Sequence, residues 1–301
     1  MPDYFVLTQL IIDDLHFPDH RAPMPGQLGG GVYAVAGMRT WSDSVGFCCA
    51  VGPDYAGNYD SWFLRNRVEV AAAPREKKCV HSTITYFEDG ERSEEPQPGY
   101  GNFTEMMPQV SEIPASWKHT RGMYFYKDCD PAYWDSLKGF LKAYSGISCW
   151  EIDSFYATWE HRDEIGACLE SVDLFSTNLT EGRRMTGKED PAAIAKGLLD
   201  LGAKNLILRL GAKGAITADR SGLWAIPAAP TVVVDVTGGG NSSTGGFVTG
   251  FCETGGDLAK AGIMAGVSAS FIIRQYGVPA DMGSVMEKAS VLADQIHAEK
   301  L

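Results

Sequence analysis

The residues best placed to do chemistry form one run, Asp235-Val236-Thr237-Gly238-Gly239-Gly240-Asn241, followed by Ser242, Ser243, Thr244, Gly245, Gly246 and Phe247. The apolar residues 231–234 before it read as a strand, and 242–252 as a helix with small residues on one side. A glycine turn between such elements leaves backbone N–H groups uncovered at a helix N-terminus, where they attract phosphate or a developing anion. A loop that merely caps the helix is the plainer alternative. Asp235, six residues before Asn241, and the Gly245-Gly246 pair after it favour the anion site. Ser242 and Ser243 lack the Gly-x-Ser-x-Gly elbow of a nucleophilic serine. Neither of the chain's triple-glycine runs has the dinucleotide-binding spacing with its ribose-binding acid.

Other polar groups read less specifically. Asn178-Leu-Thr-Glu181 has the spacing of a helix-capping pair. Arg209, in Leu208-Arg-Leu-Gly211-Ala-Lys-Gly214, could reach a phosphate or pair with a surface carboxylate. His16 and His20 are four apart, as in helical zinc sites, but Pro18 between them argues against a helix and for a polar surface segment. Tyr124, Tyr126, Trp150 and Tyr156 could line a pocket, although core packing is the ordinary use of such residues.

The elements that must position these groups alternate. Residues 4–12 form an apolar run ending in Asp13-Asp14, consistent with a buried first strand. A glycine turn over 29–31 leads into a helix, and 45–51 and 81–87 read as strands, the latter ending at the hairpin signal Asp89-Gly90. From residue 123 onward strand-like and helix-like segments alternate, with three helices at the C-terminal end near 242, 257 and 282. Repeated β-α alternation predicts an α/β fold with a doubly wound, mainly parallel central sheet covered on both faces. One domain over 1–301 is expected, with a small β-rich lid from segments near 15–28 and 80–102.

Composition narrows the partners. A hydrophobic content of 45% supports a substantial core, and no apolar run is long enough to span a bilayer. The formal charge of −12 argues against nucleic acid and anionic membranes, leaving a small molecule as the default ligand. Seven scattered cysteines without a Cys-x-x-Cys suit free thiols in a reducing cytoplasm, and the N-terminus lacks the basic region of a secretory signal.

The order and spacing of these motifs resemble the ribokinase-like (PfkB) carbohydrate kinases. The 235–241 run is similar to that family's Asp-Thr-x-Gly-Ala-Gly-Asp, Asn178-Leu-Thr-Glu181 to its Asn-x-x-Glu, and 209–214 to its strand-turn Thr-x-Gly-x-x-Gly. Gly29, Gly30 and Gly31, with Ala34 or Val35 near the family's Asn, resemble its N-terminal Gly-Gly-x-x-x-Asn-x-Ala.

The resemblance implies ATP- and Mg²⁺-dependent phosphoryl transfer to a sugar or nucleoside hydroxyl, with a monovalent cation such as K⁺ as a further expectation. It places the phosphoryl group on Gly238, Gly239 and Gly240, with Asp235 and residue 241 completing the catalytic set. The nucleotide falls to Asn178, Arg209, Gly211 and Gly214, and the metal to Glu181. The acceptor falls to Asp14 (Asp13 is the register alternative), to Gly29, Gly30 and Gly31, and to Glu151 and Asp153. Homodimerisation through the lid is a further implication.

Two departures fall in the cleft. Asn241 stands where the family has its base, and an amide cannot take a hydroxyl proton at neutral pH. Glu151-Ile-Asp153-Ser-Phe155, followed by Trp159, replaces the family's Asp-x-Asn-x-Arg, adding negative charge near a phosphate site. The expectation is therefore a kinase-like protein of reduced or altered activity. The alternatives are a non-catalytic sugar- or nucleotide-binding regulator and a nucleotide-independent enzyme using 238–240 as an oxyanion hole.

Overall fold

The computed structural model describes residues 1–88 and 91–301, so the expected Asp89-Gly90 hairpin turn lies outside the described residues. In chain order the elements are β1 (Tyr4–Leu7), β2 (Leu10–His16), β3 (Met24–Gly30), α1 (Gly31–Arg39), β4 (Val45–Val51), α2 (Asp60–Arg65), β5 (Val68–Pro74), β6 (Val80–Tyr86) and β7 (Arg92–Pro96). They continue with β8 (Gly122–Lys127), α3 (Pro131–Leu141), β9 (Ile147–Ile152), α4 (Arg162–Leu169), β10 (Leu174–Asn178), α5 (Leu179–Thr186) and α6 (Pro191–Leu201). The last are β11 (Asn205–Arg209), β12 (Ala215–Asp219), β13 (Gly222–Ile226), α7 (Gly239–Glu253), α8 (Leu258–Ile272), α9 (Met282–Ala293) and β14 (Glu299–Lys300).

A ten-stranded sheet in the order β14-β13-β12-β11-β10-β9-β8-β1-β4-β5 forms the body. Its strands from β5 to β11 run parallel, and β12, β13 and β14 add an antiparallel edge. Strand alternation divides the core. Tyr4, Val6, Phe47 and Tyr124 pack under α1, α7 and α8, while Phe5, Leu7, Phe125 and Trp150 pack under α3, α4 and α6. Each such side chain, removed from water, contributes about 1.5–3 kcal/mol. Among the described residues no helix is long and apolar enough to cross a membrane. All seven cysteines are free thiols, six of them buried.

The second sheet, β3-β2-β6-β7, is the small lid. The apolar run 4–12 is two strands rather than one. β1 lies in the body and β2 in the lid, and Thr8 and Gln9 carry the chain between them. Gln9 ties this junction together: its carbonyl accepts the Gly31 N–H at 2.9 Å, and its Nε2 donates to the Phe103 carbonyl at 3.2 Å. The lid sheet therefore begins at Leu10.

Helix α7, which carries the glycine turn, is wedged between α1 and α8. A Cβ at Gly245 would stand 2.2 Å from the Ala34 carbonyl of α1, and one at Gly246 would stand 2.3 Å from Ser268 Oγ of α8. The small residues seen in the sequence are what allow this close approach. The expected strand over 231–234 is absent. That segment is irregular with a bend at Val234, the N–H groups of Val234 and Asp235 bond to the Ile273 carbonyl just after α8, and Val232 is 78% exposed. β-branched residues gave the strand signal, whereas the acceptor is a helix end.

Candidate active site

The carboxyl ends of β8, β9, β10 and β11 converge on the N-terminus of α7, where an open α/β sheet presents its ligand-binding crevice. Side-chain parity decides what faces the helix. Trp150 and Phe175 belong to the core on the other face, so Glu151 and Ser176 point toward α7.

Gly238 caps α7 at φ +75°, a left-handed conformation. A Cβ there would also meet the Tyr33 ring at 2.1 Å, so glycine is required twice over. Gly239 donates its N–H to the Val236 carbonyl at 3.1 Å. The backbone N–H groups of Gly240 and Asn241 have no acceptor among the described residues. Of the expected anion donors, Gly239 therefore closes the turn, and the amides of Gly240 and Asn241 face outward.

Asp235 braces the turn from below. Its Oδ1 accepts the Thr237 N–H at 2.9 Å and the Thr237 hydroxyl at 2.6 Å, and its Oδ2 accepts the Tyr86 hydroxyl at 2.7 Å. Tyr86 comes from the lid, so this bond joins lid to turn. Phe17 stacks on Tyr86 at 5.5 Å, and Tyr276 of the body meets both rings edge-on.

Behind the turn lies a buried ion pair. Arg209 Nη2 sits 2.6 Å from Glu151 Oε1, with the two side chains 13% and 7% exposed. Arg209 Nη1 also donates to Ser176 Oγ at 2.6 Å and to Thr244 Oγ1 at 2.7 Å, while Thr244 donates to Glu151 Oε2 at 2.8 Å. Burial is the largest influence and lowers the arginine's pKa, but the Glu151 and Glu181 charges and the Glu151 hydrogen bond together outweigh it and hold the guanidinium above its ordinary value. The Glu151 charge is thus paired in place, whereas the carboxylate that replaces the family's amide, Asp153, accepts only the Tyr126 hydroxyl and the Phe155 N–H among the described residues. The alternative left open for Arg209 resolves to a buried carboxylate rather than a surface one.

Asn178 and Glu181 form a reciprocal capping box on α5. Asn178 Oδ1 accepts the Glu181 N–H, and Glu181 Oε2 accepts the Asn178 N–H, each at 3.0 Å. Glu181 is buried and takes further hydroxyl bonds from Thr177 at 2.8 Å and from Ser154. Asp153 holds its own loop through the Phe155 N–H at 2.8 Å and accepts the Tyr126 hydroxyl at 3.1 Å. Phe155 itself is 94% exposed. Gly211 and Gly214 form the turn after β11, where a Cβ at Gly214 would meet the Ile226 carbonyl at 2.0 Å.

On the lid, Asp13 and Asp14 point to opposite faces. Asp14 is committed within the lid, accepting from the Gly26 N–H at 2.7 Å and from Gln97 Nε2 at 2.9 Å. Asp13 lies beside Gly29, where a Cβ would stand 2.0 Å from its Oδ2, and its buried Oδ1 has no hydrogen-bond partner. Across the strand pair, Ser82 Oγ is likewise buried and unpartnered. Burial pushes the Asp13 carboxyl up to about 8, with Glu94 adding to the shift and Arg92 opposing it. Of the two, Asp14 braces the lid, while Asp13, the register alternative, keeps a buried carboxylate oxygen without a partner.

Sequence reasoning missed Tyr33, Ser82, Ser176 and Thr244 as members of this site. Thr244 carried a usable signal, standing one helical turn after Gly240, but the serines had none. Among the described residues no group of three His, Cys, Asp or Glu is arranged to hold a metal, His16 and His20 included.

Residues 151–282 match the family model described as pfkB family carbohydrate kinase. A cytidine kinase from Thermococcus kodakarensis is 28% identical over 262 residues, covering 83% of this chain and 89% of that protein. An Escherichia coli protein described as a ribokinase II, solved with ATP and Mg²⁺, superposes with a TM-score of 0.76 at 15% identity, covering 98% of this chain and 100% of that one. The adenosine kinase from Sinorhizobium meliloti gives 0.75 at 17% identity, covering 96% and 99%.

Proposed function

We propose, for a chain that belongs to the pfkB family of carbohydrate kinases, that it transfers a phosphoryl group from ATP to a hydroxyl of a sugar or nucleoside, slowly. The observation carrying this reading is the pair of outward-facing N–H groups, Gly240 and Asn241, at the N-terminus of a long helix and under a lid. Fixed amide dipoles there stabilise the charge that accumulates on a transferring phosphoryl group. The apolar surface of Val232, Val233 and Val236 just ahead of the turn suits the flat face of a nucleotide base.

Asp13 is the proposed anchor for acceptor hydroxyls, because its unpartnered Oδ1 needs a donor. Asn241 aligns the attacking hydroxyl but leaves its proton to solvent or to the departing phosphoryl oxygens. A loose phosphoryl-transfer transition state tolerates a missing base better than misplacement, so turnover is reduced rather than abolished.

The oxygen-only donors at the crevice fit Mg²⁺. Three donors occupy Glu181, leaving one of roughly four carboxylate lone-pair positions, so Glu181 would hold the ion through its water shell together with Asn178. When bound, Mg²⁺ neutralises phosphate charge. A monovalent cation such as K⁺ is proposed as an activator, and titrating KCl at constant ionic strength tests it. The chain is proposed to act in the cytoplasm as one domain and to dimerise through the lid, where Phe87 is 47% exposed. Sedimentation of a Phe87→Glu variant tests the dimer.

A second reading, a sugar- or nucleotide-binding regulator, is favoured by Asn241 alone. One experiment separates the two: ADP release from Mg-ATP across a panel of nucleosides and sugars, with binding followed by thermal shift. Acceptor-dependent ADP supports the kinase. Tight binding without consumption supports the regulator. Failure of both the chain and Asn241→Asp to bind ATP sinks the two together.

A further inference from the structure

Asn241 is a half-buried residue in the first turn of α7, and its Nδ2 donates to the Tyr124 hydroxyl at 3.0 Å. Tyr124 comes from β8 and is fully buried, and burial first, then the neighbouring Glu151 charge, push its phenol well above its ordinary pKa, so it keeps its proton. Glu151 is paired with Arg209 at 2.6 Å and accepts from Thr244 at 2.8 Å. The Glu151 carboxylate beside the phenol is an acceptor and repels its lone pairs, so the phenolic proton of Tyr124 is turned toward that charge and not toward Asn241. The phenol oxygen is then left as an acceptor, and only the NH₂ side of the Asn241 amide satisfies it. The Asn241-to-Tyr124 bond therefore fixes which way the amide faces. Its Oδ1 points away from the buried side and has no partner among the described residues.

We infer that Tyr124 is a positioning residue that locks the Asn241 amide with Oδ1 toward the cleft, where that oxygen accepts the hydrogen bond of the attacking hydroxyl. This rests on the phosphoryl-transfer reading for the identity of the hydroxyl, but not for the amide orientation. Asn241 then aligns the acceptor oxygen and takes no proton, and the buried Arg209–Glu151 pair is what keeps the alignment from inverting. A free asparagine would spend part of its time presenting NH₂ to the hydroxyl, which opposes the oxygen's approach as a nucleophile.

The test uses the full chain with ¹⁵N-labelled asparagine. The Asn241 side-chain signal is assigned by its loss in Asn241→Asp, and its NH₂ exchange with water is compared in the parent and in Tyr124→Phe. The expected result is slow exchange in the parent, accelerated about tenfold or more in Tyr124→Phe, as for a hydrogen bond removed. In turnover, Tyr124→Phe should lower acceptor kcat/KM about 3- to 10-fold with the KM for ATP unchanged, as loss of one hydrogen bond implies. The same substitution placed on Asn241→Asp should lose little, because a carboxylate presents an acceptor oxygen on both sides. Equal exchange in the parent and Tyr124→Phe overturns the inference, as does a parallel loss for ATP and acceptor. Protected exchange in a chain that never turns over leaves the orientation standing and removes the kinase reading alone.

Discussion

Arg209 and Glu151, 58 residues apart in the chain, are locked at 2.6 Å directly behind the glycine turn, with Gly240 seated over the guanidinium. The pair makes two buried charges into a neutral, rigid support. Breaking one partner of such a buried pair typically costs about 3–5 kcal/mol, because the other is stranded. Arg209→Met is expected to lose that much in urea denaturation. Adding Glu151→Gln should recover a large part of it, giving a clear coupling energy in the double-mutant cycle.

Asn241→Asp restores a group able to accept the hydroxyl proton. If the chain is a kinase, kcat should rise about 10²-fold or more, the usual contribution of a general base. The pH–rate profile should gain an acidic limb absent from the parent. A flat profile with unchanged kcat counts against proton transfer at position 241.

Asp13 sets a pH dependence whose sign follows from its raised pKa. The folded state holds the proton up to about 8, whereas the unfolded carboxyl releases it near its ordinary value of 3.8. Between those values the folded state binds more protons, so Asp13's contribution to stability falls as pH rises. Asp13→Asn should therefore melt above the parent at pH 8 and match it near pH 3.5. Acceptor hydroxyls bond best to the ionised form, so acceptor KM in the parent should drop as pH rises toward 8 and then level off.

Gly238→Ala confronts both a left-handed backbone and the Tyr33 ring. The first costs about 1–2 kcal/mol and the second about 1–3 kcal/mol. The turn is expected to shift rather than the core to unfold, so ATP affinity should fall more than Tm. Equal loss of both would place the damage elsewhere.

Tyr86→Phe removes the hydroxyl that joins the lid to Asp235 at 2.7 Å. A hydrogen bond to a charged group contributes about 1.5–3 kcal/mol. Acceptor KM should rise by roughly 10-fold or more, and basal ATP hydrolysis relative to transfer should increase as water enters.

The sequence showed the fold through β-α alternation and the turn through its glycines, because both signals are local. Parity along a strand is equally local, and it foretells that Glu151 and Ser176 share a face once the strand is known. The split of residues 4–12 was hidden because a continuous apolar run looks the same whether it stays in one sheet or changes sheets at Thr8 and Gln9. The choice between Asp13 and Asp14 turned on strand register, and the pairing with β3 shifts between Asp13 and Leu15. The Arg209–Glu151 pair was invisible for a different reason: charge partners distant in sequence are chosen by topology.

Gln9 holds a consequence for how the molecule opens. Its backbone and side chain meet three of the places where the chain passes between the sheets: its own, the entry to α1 at Gly31, and the return near Phe103. Flaps hung from separate stalks would flutter independently. Here three crossings are tied together at Gln9, so any opening would carry the four-stranded sheet as a single door, hinged at the end opposite the Tyr86–Asp235 bond.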